Sequence, residues 1–303
     1  MLIRFLELAV LSTAVSGLST KVDLDYATFQ GKKDLLTNTT SFLGMPFAVA
    51  GRLENPRLIG PQDNLTGVQD ATNYGPACPQ HELVASPLET GNEKVGELLG
   101  LAEALLLPNI THQAEDCLNI NVQVPKGIKD TSKLPVLMWI HGGGFELGSS
   151  ASLGSETTAL PGLIYQVCSL FSYSRALANS ANSFVKGANL VQRSIEMDQP
   201  VVFVSANYRL NFFGNLASKE VTDAGIANLF LKDQDVAFEW VQKHIGKFGG
   251  DPSKVTVFGE SAGAMSTTTH LVLNNGSVEG KFRAGWIFSG PVCFCTQILQ
   301  SKD

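Results

Sequence analysis

The sequence predicts an α/β fold in which a mainly parallel central sheet carries helices on both faces. Two continuous apolar runs, Leu134–Ile140 and 201–205, are typical of strands buried on both faces. Between such runs lie stretches of helical periodicity, of which 223–247 is the longest. A glycine-rich junction at 248–263 joins a short apolar strand to another helical stretch. This alternation is the pattern of a parallel sheet whose crossovers are helices.

Composition excludes several classes of protein. The chain has 303 residues, of which 44% are hydrophobic and 17% are charged, as in a globular protein with a large core. A net charge of −6 offers no basic surface for nucleic acid. No apolar run reaches the roughly 18–20 residues that a transmembrane helix needs. We expect no transmembrane segment, no nucleic-acid partner, no cofactor and no metal.

The first 18 residues are predicted to be a signal peptide. Arg4 supplies the positive charge that precedes an apolar stretch at 8–15, and small residues at 14–16 offer a cleavage site. Glu7 interrupts this pattern, so a buried first strand or helix is the alternative. The remaining residues, 19–303, are assigned to one partial domain.

Potential glycosylation sites support secretion. The candidate acceptors are Asn38, Asn64, Asn109 and Asn275. They favour a secreted, extracellular glycoprotein. The five cysteines are an odd number, so at least one lacks an intrachain partner. The sequence does not assign Cys168, Cys293 or Cys295 to a pair.

The remaining elements follow in a regular order. A small antiparallel sheet is expected at 35–48 and a covering loop rich in proline and glycine at 55–80. The predicted strands are 118–124, Leu134–Ile140, 201–205, 254–258 and 284–289. The predicted helices are 95–108, 189–197, 223–247 and 264–273. Strand 118–124 alternates apolar and polar residues, which predicts that one of its faces is exposed.

Two segments leave alternatives open. The leucine-rich stretch at 95–108 is either a core helix or a mobile flap over an apolar site. The stretch at 157–185 carries a single charged residue, Arg175, within a predicted crossover. It is either a genuine extra helix or a doubtful insert. In the second case a retained intron or gene-model error covers part of 167–184.

The junction at 248–263 carries the chemistry. A strand, a Gly-x-Ser-x-Gly motif and a helix follow one another, which is the context of a nucleophile elbow. Gly259 and Gly263 allow the tight turn, and Ser261 at its tip is the candidate catalytic nucleophile. The positive end of the following helix suits a developing oxyanion. The alternative is an ordinary glycine-rich turn.

A second glycine motif, His-Gly-Gly-Gly-Phe at 141–145, follows the buried strand Leu134–Ile140 directly. Glycines at a strand end leave backbone N–H groups free to point at a ligand, as in an oxyanion loop. The predicted oxyanion-hole donors are the N–H groups of Gly143, Gly144 and Ala262. His141 is expected to support the shape of this loop and not to act as a base. A simple glycine hinge is the alternative.

These motifs resemble those of the type-B carboxylesterases and lipases, the α/β-hydrolase group that includes cholinesterases and fungal secreted lipases. The similar stretches are 115–122, 141–145, 204–210 and 248–263, with weaker echoes at 42–48 and 75–80. The resemblance extends over about residues 20–290, apart from 157–185.

The resemblance implies an α/β-hydrolase fold and a carboxylic ester hydrolase that acts through an acyl-enzyme on Ser261. It also implies a disulfide between Cys78 and Cys117, and a lid region within the loop that they close. The implied substrate is a small-molecule or lipid ester, with transient contact to a lipid interface. A non-catalytic binding or adhesion module on the same fold is one alternative, and a peptidase is another.

One departure from the family pattern concerns the catalytic partners. In this family the acid and the histidine follow the serine in the chain. Here only His270 follows Ser261, and it lies nine residues further along the same predicted helix. We therefore expect the N-terminal part of a longer enzyme, truncated after the strand that follows the nucleophile helix. Such a chain, without its acid and histidine, is expected to be inactive or poorly folded, because a sheet without its later strands exposes an unpaired edge.

Overall fold

The computed structural model describes residues 20–63, 65–80, 112–151 and 187–288. Several sequence predictions therefore lie outside the described residues. These are the signal peptide at 1–18, the helix at 95–108, the segment at 157–185, the acceptors Asn64 and Asn109, and Cys168, Cys293 and Cys295.

The described residues form twelve strands and five α-helices. The strands are β1 (Lys21–Asp23), β2 (Thr28–Gln30), β3 (Lys32–Asp34), β4 (Thr39–Pro46), β5 (Ala48–Val49), β6 (Arg57–Leu58), β7 (Val68–Asp70), β8 (Asn119–Pro125), β9 (Leu134–Ile140), β10 (Val202–Ala206), β11 (Gly250–Glu260) and β12 (Ala284–Phe288). The helices are α1 (Gly187–Glu196), α2 (Asn211–Gly214), α3 (Lys219–Asp223), α4 (Leu229–His244) and α5 (Ala262–Gly276). Short 3₁₀ turns occur at Pro61–Asp63, Asp130–Ser132 and Ile245–Phe248.

A seven-stranded sheet is the centre of the fold, with the strand order β12-β11-β9-β10-β8-β4-β3. Strands β12, β11, β9 and β10 are mutually parallel, whereas β8, β4 and β3 continue the sheet in antiparallel pairs. The α/β fold with a mainly parallel centre is thus confirmed. Both glycine motifs lie at the carboxyl ends of the parallel strands β9 and β11, where α/β proteins place their sites.

Helices cover both faces of this sheet. Side chains alternate between faces along a strand, so neighbouring residues of β9 enter different clusters. Trp139 packs with Val191 of α1, whereas Met138 joins the cluster that contains Trp240 of α4. Helix α5 lies beside α4, since Gln234 donates a hydrogen bond to the Ser266 hydroxyl over 3.0 Å. None of the helices that the structure describes is long and apolar enough to cross a membrane.

The predicted helix at 223–247 is wrong in its first part. The structure has α3 ending at Asp223, a break, and α4 beginning at Leu229. Gly225 and Asn228 lie in the break with φ of 69° and 54°. Left-handed backbone cannot continue a right-handed helix, so these two residues separate the elements. Apolar periodicity alone did not reveal this conformation.

The exposed face predicted for strand 118–124 is also wrong, because every residue of β8 is buried. Its polar side chains are hydrogen-bonded inside the protein. Asn121 accepts from the N–H of Gly44 over 2.8 Å and donates to the Ser150 hydroxyl over 2.9 Å. Buried polar groups that have hydrogen-bond partners are tolerated. The polar residues that alternate with apolar ones along β8 are therefore hydrogen-bonded inside the protein and do not mark an exposed face.

Other elements agree more closely with the sequence. Strands β8, β10 and β12 and helix α1 lie within two residues of their predicted bounds, while β11 extends beyond 254–258 on both sides. The separate small antiparallel sheet expected at 35–48 is not found: β4, the main strand of this range, pairs antiparallel with β3, which precedes the range, and with β8, and so belongs to the main sheet. The covering loop at 55–80 contains the short strands β6 and β7. Helix α5 loses helical geometry at Leu273, Asn274 and Asn275.

A buried ion pair joins the end of β10 to helix α4. Arg209 contacts Asp233 through two side-chain hydrogen bonds of 2.7 and 2.8 Å, and its backbone N–H donates to the same carboxylate over 2.9 Å. The guanidinium also donates to the carbonyl of Glu54 over 2.8 Å. Both side chains are almost fully buried, so each charge depends on the other.

We expect Asp233→Asn to lower the free energy of unfolding by about 3–5 kcal/mol, because it leaves the Arg209 charge buried without a counter-charge. The measurement is urea unfolding followed by tryptophan fluorescence. Asp223→Asn makes the same chemical change in the exposed pair with Lys219 and should have little effect. Equal effects of the two substitutions would contradict a structural role for the buried pair.

Candidate active site

Ser261 lies at the junction between β11 and α5. Its φ of 56° and ψ of −119° place it in a region that non-glycine residues rarely adopt. Its N–H donates to the carbonyl of Phe288 over 3.0 Å, and its own carbonyl accepts from the N–H of Met265 over 3.0 Å. The sharp turn is therefore fixed from both sides, and the half-buried side chain sits at its tip.

Close backbone contacts explain the glycines of this turn. A Cβ atom at Gly259 would overlap the backbone of Gly263, and one at Gly263 would overlap the carbonyl of Ile140. A Cβ at Gly142 would lie 2.7 Å from the carbonyl oxygen of Glu260 and 3.3 Å from the Cβ of Ser261. The elbow and the glycine loop after β9 are thus in direct contact.

The glycine loop 141–145 has an unusual backbone. Gly143, Gly144 and Phe145 all have positive φ, of 106°, 65° and 64°. The N–H groups of Glu146 and Leu147 both donate to the carbonyl of Gly143, over 3.1 and 3.0 Å, and so turn the loop back on itself. Gly143 and Gly144 are exposed at its tip.

Three backbone N–H groups of the glycine loop and of the start of α5 have no partner among the described residues. No acceptor within the described part of the chain is hydrogen-bonded to the N–H of Gly143, Gly144 or Ala262. Ala262 is the first residue of α5, whose initial N–H groups have no partner inside the helix. Free N–H groups at a helix start and in a glycine loop can stabilise a negative charge that develops between them.

His141 supports the glycine loop. Its ring is buried and stacks on Tyr208 with 4.1 Å between centroids, and its Nδ1–H donates to the carbonyl of Gly142 over 2.9 Å. The Tyr208 hydroxyl donates to the carbonyl of His141 over 2.6 Å. Burial lowers the pKa of His141 to about 4, so the ring is neutral at pH 7. The sequence indicated the 204–210 stretch but not the contact that Tyr208 makes.

His270 points into the protein core and not at the nucleophile. It lies nine residues beyond Ser261 on α5, which is about 13 Å along a helix axis. Its Nε2 is 2.9 Å from Oε1 of Gln234, and its ring packs edge-on against Phe238. Burial lowers the pKa of His270 to about 3. The Ser261 hydroxyl makes no hydrogen bond to any residue in the described ranges.

Glu260 is a carboxylate that the sequence did not single out. It directly precedes Ser261, is partly buried and lies against the glycine loop, with Oε2 3.0 Å from the Cβ position of Gly142. Burial raises the pKa of Glu260 above its usual value. Its position inside the Gly-x-Ser-x-Gly motif is the sequence feature from which Glu260 could have been identified.

Cys78 and Cys117 form a disulfide with 4.9 Å between their Cα atoms. Both cysteines are buried beside the ends of β8 and β10. The side-chain amides of Asn119 and Asn207 each donate to the carbonyls of Pro76 and Cys117 over 2.8 to 3.0 Å. The disulfide is thereby attached to the sheet end that carries the candidate site.

Two of the predicted glycosylation acceptors are described by the structure. Asn38 and Asn275 are both exposed and lie in turns with φ of 54° and 58°. Both side chains are therefore accessible to a modifying enzyme.

We expect Gly263→Ala to destabilise the protein by about 1–3 kcal/mol or more, because its methyl group would overlap the Ile140 carbonyl. Gly246→Ala is the matched control, since nothing lies within 4 Å of the added atom and its φ is not positive. The control should be neutral or stabilise by about 0.4–1 kcal/mol through the unfolded state. Denaturant unfolding compares the two, and equal midpoints would contradict the close packing at residue 263.

The buried neutral His270 should make the protein less stable in acid. Its folded pKa of about 3 lies below the value of 6.5 in the unfolded chain. The unfolded state therefore binds a proton first as pH falls below 6.5, and stability falls by up to about 1.4 kcal/mol per pH unit until the folded pKa is reached. His270→Gln should reduce the loss of unfolding free energy between pH 6.5 and 4.5. An unchanged pH dependence would contradict this assignment.

Comparisons with known proteins agree with this geometry. The family model described as the carboxylesterase family matches residues 18–162 and 173–303. Lipase 5 of Diutina rugosa is 38% identical over 260 residues, and a secreted triacylglycerol lipase of Gibberella zeae is 38% identical over 263 residues. Each alignment covers 83% of this chain, but only 41% and 38% of the respective relative.

Solved structures show the same partial coverage. The crystal structure of Aspergillus niger EstA superimposes with a TM-score of 0.62 at 30% identity, covering 88% of this chain and 41% of that one. A thermophilic pNB esterase gives the same TM-score and identity over 43% of its length. The chain thus spans about two fifths of the length of these relatives. With a family match over most of its residues and an α/β-hydrolase core, the chain belongs to the carboxylesterase family.

Proposed function

We propose that this chain carries the nucleophile and the oxyanion hole of a carboxylic ester hydrolase. The Ser261 oxygen attacks the ester carbonyl carbon and gives its proton to a base. The carbonyl oxygen takes up the electron pair as an oxyanion, which then collapses and breaks the bond to the alkoxy oxygen. The base returns its proton to this oxygen, so that the alcohol leaves and an acyl-serine remains. Water attacks this acyl group, releases the carboxylic acid and restores Ser261.

The observation that carries the proposal is the contact between the elbow and the glycine loop, together with N–H groups at Gly143, Gly144 and Ala262 that have no acceptor in the described ranges. Donors that are held in place before the reaction need no rearrangement in the transition state. Loss of one such donor typically costs about 3–4 kcal/mol of transition-state stabilisation. Retention of both the nucleophile and the glycines disfavours a purely binding role.

We place the proton acceptor for Ser261 beyond the described residues, because the Ser261 hydroxyl has no hydrogen-bond partner among them. Of the histidines that the structure describes near the sheet, His141 supports the glycine loop and His270 is bonded to Gln234. A serine without a base is a weak nucleophile, although an oxyanion hole alone retains about 10³- to 10⁴-fold acceleration over water. We therefore expect residues 1–303 alone to hydrolyse esters slowly.

The proposed substrate class is a small-molecule or lipid ester, since the similar fungal proteins are named as lipases. Secretion is proposed from the signal-like residues 1–18 and the exposed acceptors Asn38 and Asn275, and similar proteins of Gibberella zeae and Botryotinia fuckeliana are named as secreted. The domain proposed at 19–303 includes the segment at 157–185, whose one charged residue is Arg175, and the family match leaves out residues 163–172 within it.

The test is covalent labelling with a fluorophosphonate, followed by peptide mass spectrometry. We expect slow labelling at Ser261, none at the exposed Ser253, and loss of the label in Ser261→Ala. Hydrolysis of p-nitrophenyl butyrate should be at least about 10³-fold slower than with a full-length lipase of the family.

Three results would count against the proposal. A folded sample that takes no label at Ser261 would favour the binding module. A label that persists in Ser261→Ala would identify another nucleophile. Turnover equal to that of the full-length lipase, and abolished by Ser261→Ala, would contradict the slow hydrolysis expected of this chain.

A further inference from the structure

Besides the packing of Phe145 on Phe230, the oxyanion loop (the glycine loop 141–145 with its continuation to Gly148) has three hydrogen-bonded attachment points among the described residues, and two of them lead to the disulfide. The first point is Tyr208, whose hydroxyl binds the carbonyl of His141. The other two are Gln80 and Asn211, which contact Gly148 and Phe145 respectively. Neither Gln80 nor Asn211 is part of the elbow or of the glycine motif.

Gln80 forms a two-bond contact with Gly148. Its Nε2 donates to the Gly148 carbonyl over 2.6 Å, and its Oε1 accepts from the Gly148 N–H over 3.0 Å. Gly148 in turn lies against the start of the glycine loop. A Cβ placed on it would be 2.6 Å from both the Gly142 carbonyl and His141 Nδ1. The backbone position of Gly148 therefore restricts the conformations that the loop 142–147 can adopt.

Asn211 makes the second contact. Its N–H donates to the Phe145 carbonyl over 2.7 Å, and its side-chain amide donates to the Pro79 carbonyl over 3.0 Å. It is almost fully buried, and its φ of 46° is one that asparagine tolerates better than most residues. The same residue thus binds the oxyanion loop on one side and the segment after Cys78 on the other.

The segment from Cys78 to Gln80 is itself fixed. Cys78 is bonded to Cys117, and the N–H of Gln80 donates to the side chain of Gln113 over 2.9 Å. Ala77 forms a β-bridge with Gln113. The segment 78–80 is thus anchored, and it makes polar contacts both to Gly148 and to Asn211. Such a segment is suited to hold the loop in one conformation.

We propose that Gln80, together with Asn211, is a positioning residue that holds the oxyanion loop against the disulfide-anchored segment 78–80. The proposal rests on the proposed function, because it assigns these residues to the same oxyanion hole. Neither residue touches the reacting atoms; each acts through the backbone of 143–148.

The experiment uses the full chain with Gln80→Glu, which retains the size of the side chain but cannot donate to the Gly148 carbonyl. Asn211→Asp is the second variant, because it keeps a residue type that tolerates positive φ and loses the donor to Pro79. Gln69→Glu is the matched control, since the side-chain amide of this glutamine in β7 donates to the exposed carbonyl of Thr66 and to no other acceptor in the described ranges.

Two readouts are measured for each variant. Hydrogen exchange of the amides in 142–148 should become about tenfold faster in Gln80→Glu and Asn211→Asp, while exchange in α4 is unchanged. The limiting rate of fluorophosphonate labelling at Ser261 should fall about 10- to 100-fold, with a less than about threefold change in the half-saturating reagent concentration. Gln69→Glu should match the wild type in both.

The outcomes separate the two proposals. Unchanged exchange in 142–148 would overturn the positioning role whatever the activity. Faster exchange with an unchanged labelling rate would overturn the link to the oxyanion hole. If wild-type Ser261 takes no label, the proposed function fails, and the exchange data alone then decide whether Gln80 and Asn211 hold the loop. If Gln80→Glu does not fold, Asn211→Asp gives the same comparison.

Discussion

The close approach of Gly263 to the carbonyl of Ile140 fixes the geometry on which the site depends. Because no side chain separates them, the first turn of α5 lies directly on the carboxyl end of β9. The elbow that precedes α5 and the glycine loop that follows β9 must then meet. Ser261 and the glycine loop are brought together by this backbone contact, without any interaction between their side chains.

Buried polar side chains make further contacts around the sheet end where Gly263 meets Ile140. Asn119 and Asn207 bind the backbone around the disulfide, and Arg209 with Asp233 joins the end of β10 to α4. Burial strengthens such contacts and also makes each unpaired partner costly, so these residues restrict the sheet end to one arrangement. Precise placement at the site therefore comes from groups that have no chemical role in it.

The sequence predicted the parallel strands, the elbow and the glycine loop because each has a strong local pattern. Leu134–Ile140 is uniformly apolar. At positions 259 and 263 a Cβ atom would overlap backbone atoms, so only glycine fits there. The break at Gly225 and the burial of Asn121 were not predicted. The first depends on local dihedral angles that apolar periodicity does not encode, and the second on partners more than 25 residues away in the chain. Residues such as Gln80 act through long-range contacts of the same kind and carry no local signal.

The glycine loop 141–145 contains one residue in a conformation that its side chain does not favour. Phe145 has a φ of 64° without being glycine. Strain of this kind costs of order 1–3 kcal/mol per residue and persists only where surrounding structure over-determines it. Tyr208, Gln80 and Asn211 supply that restraint from three directions. The conformation of this loop is therefore maintained by the folded sheet end and its disulfide-anchored neighbour, and not by the glycine motif alone.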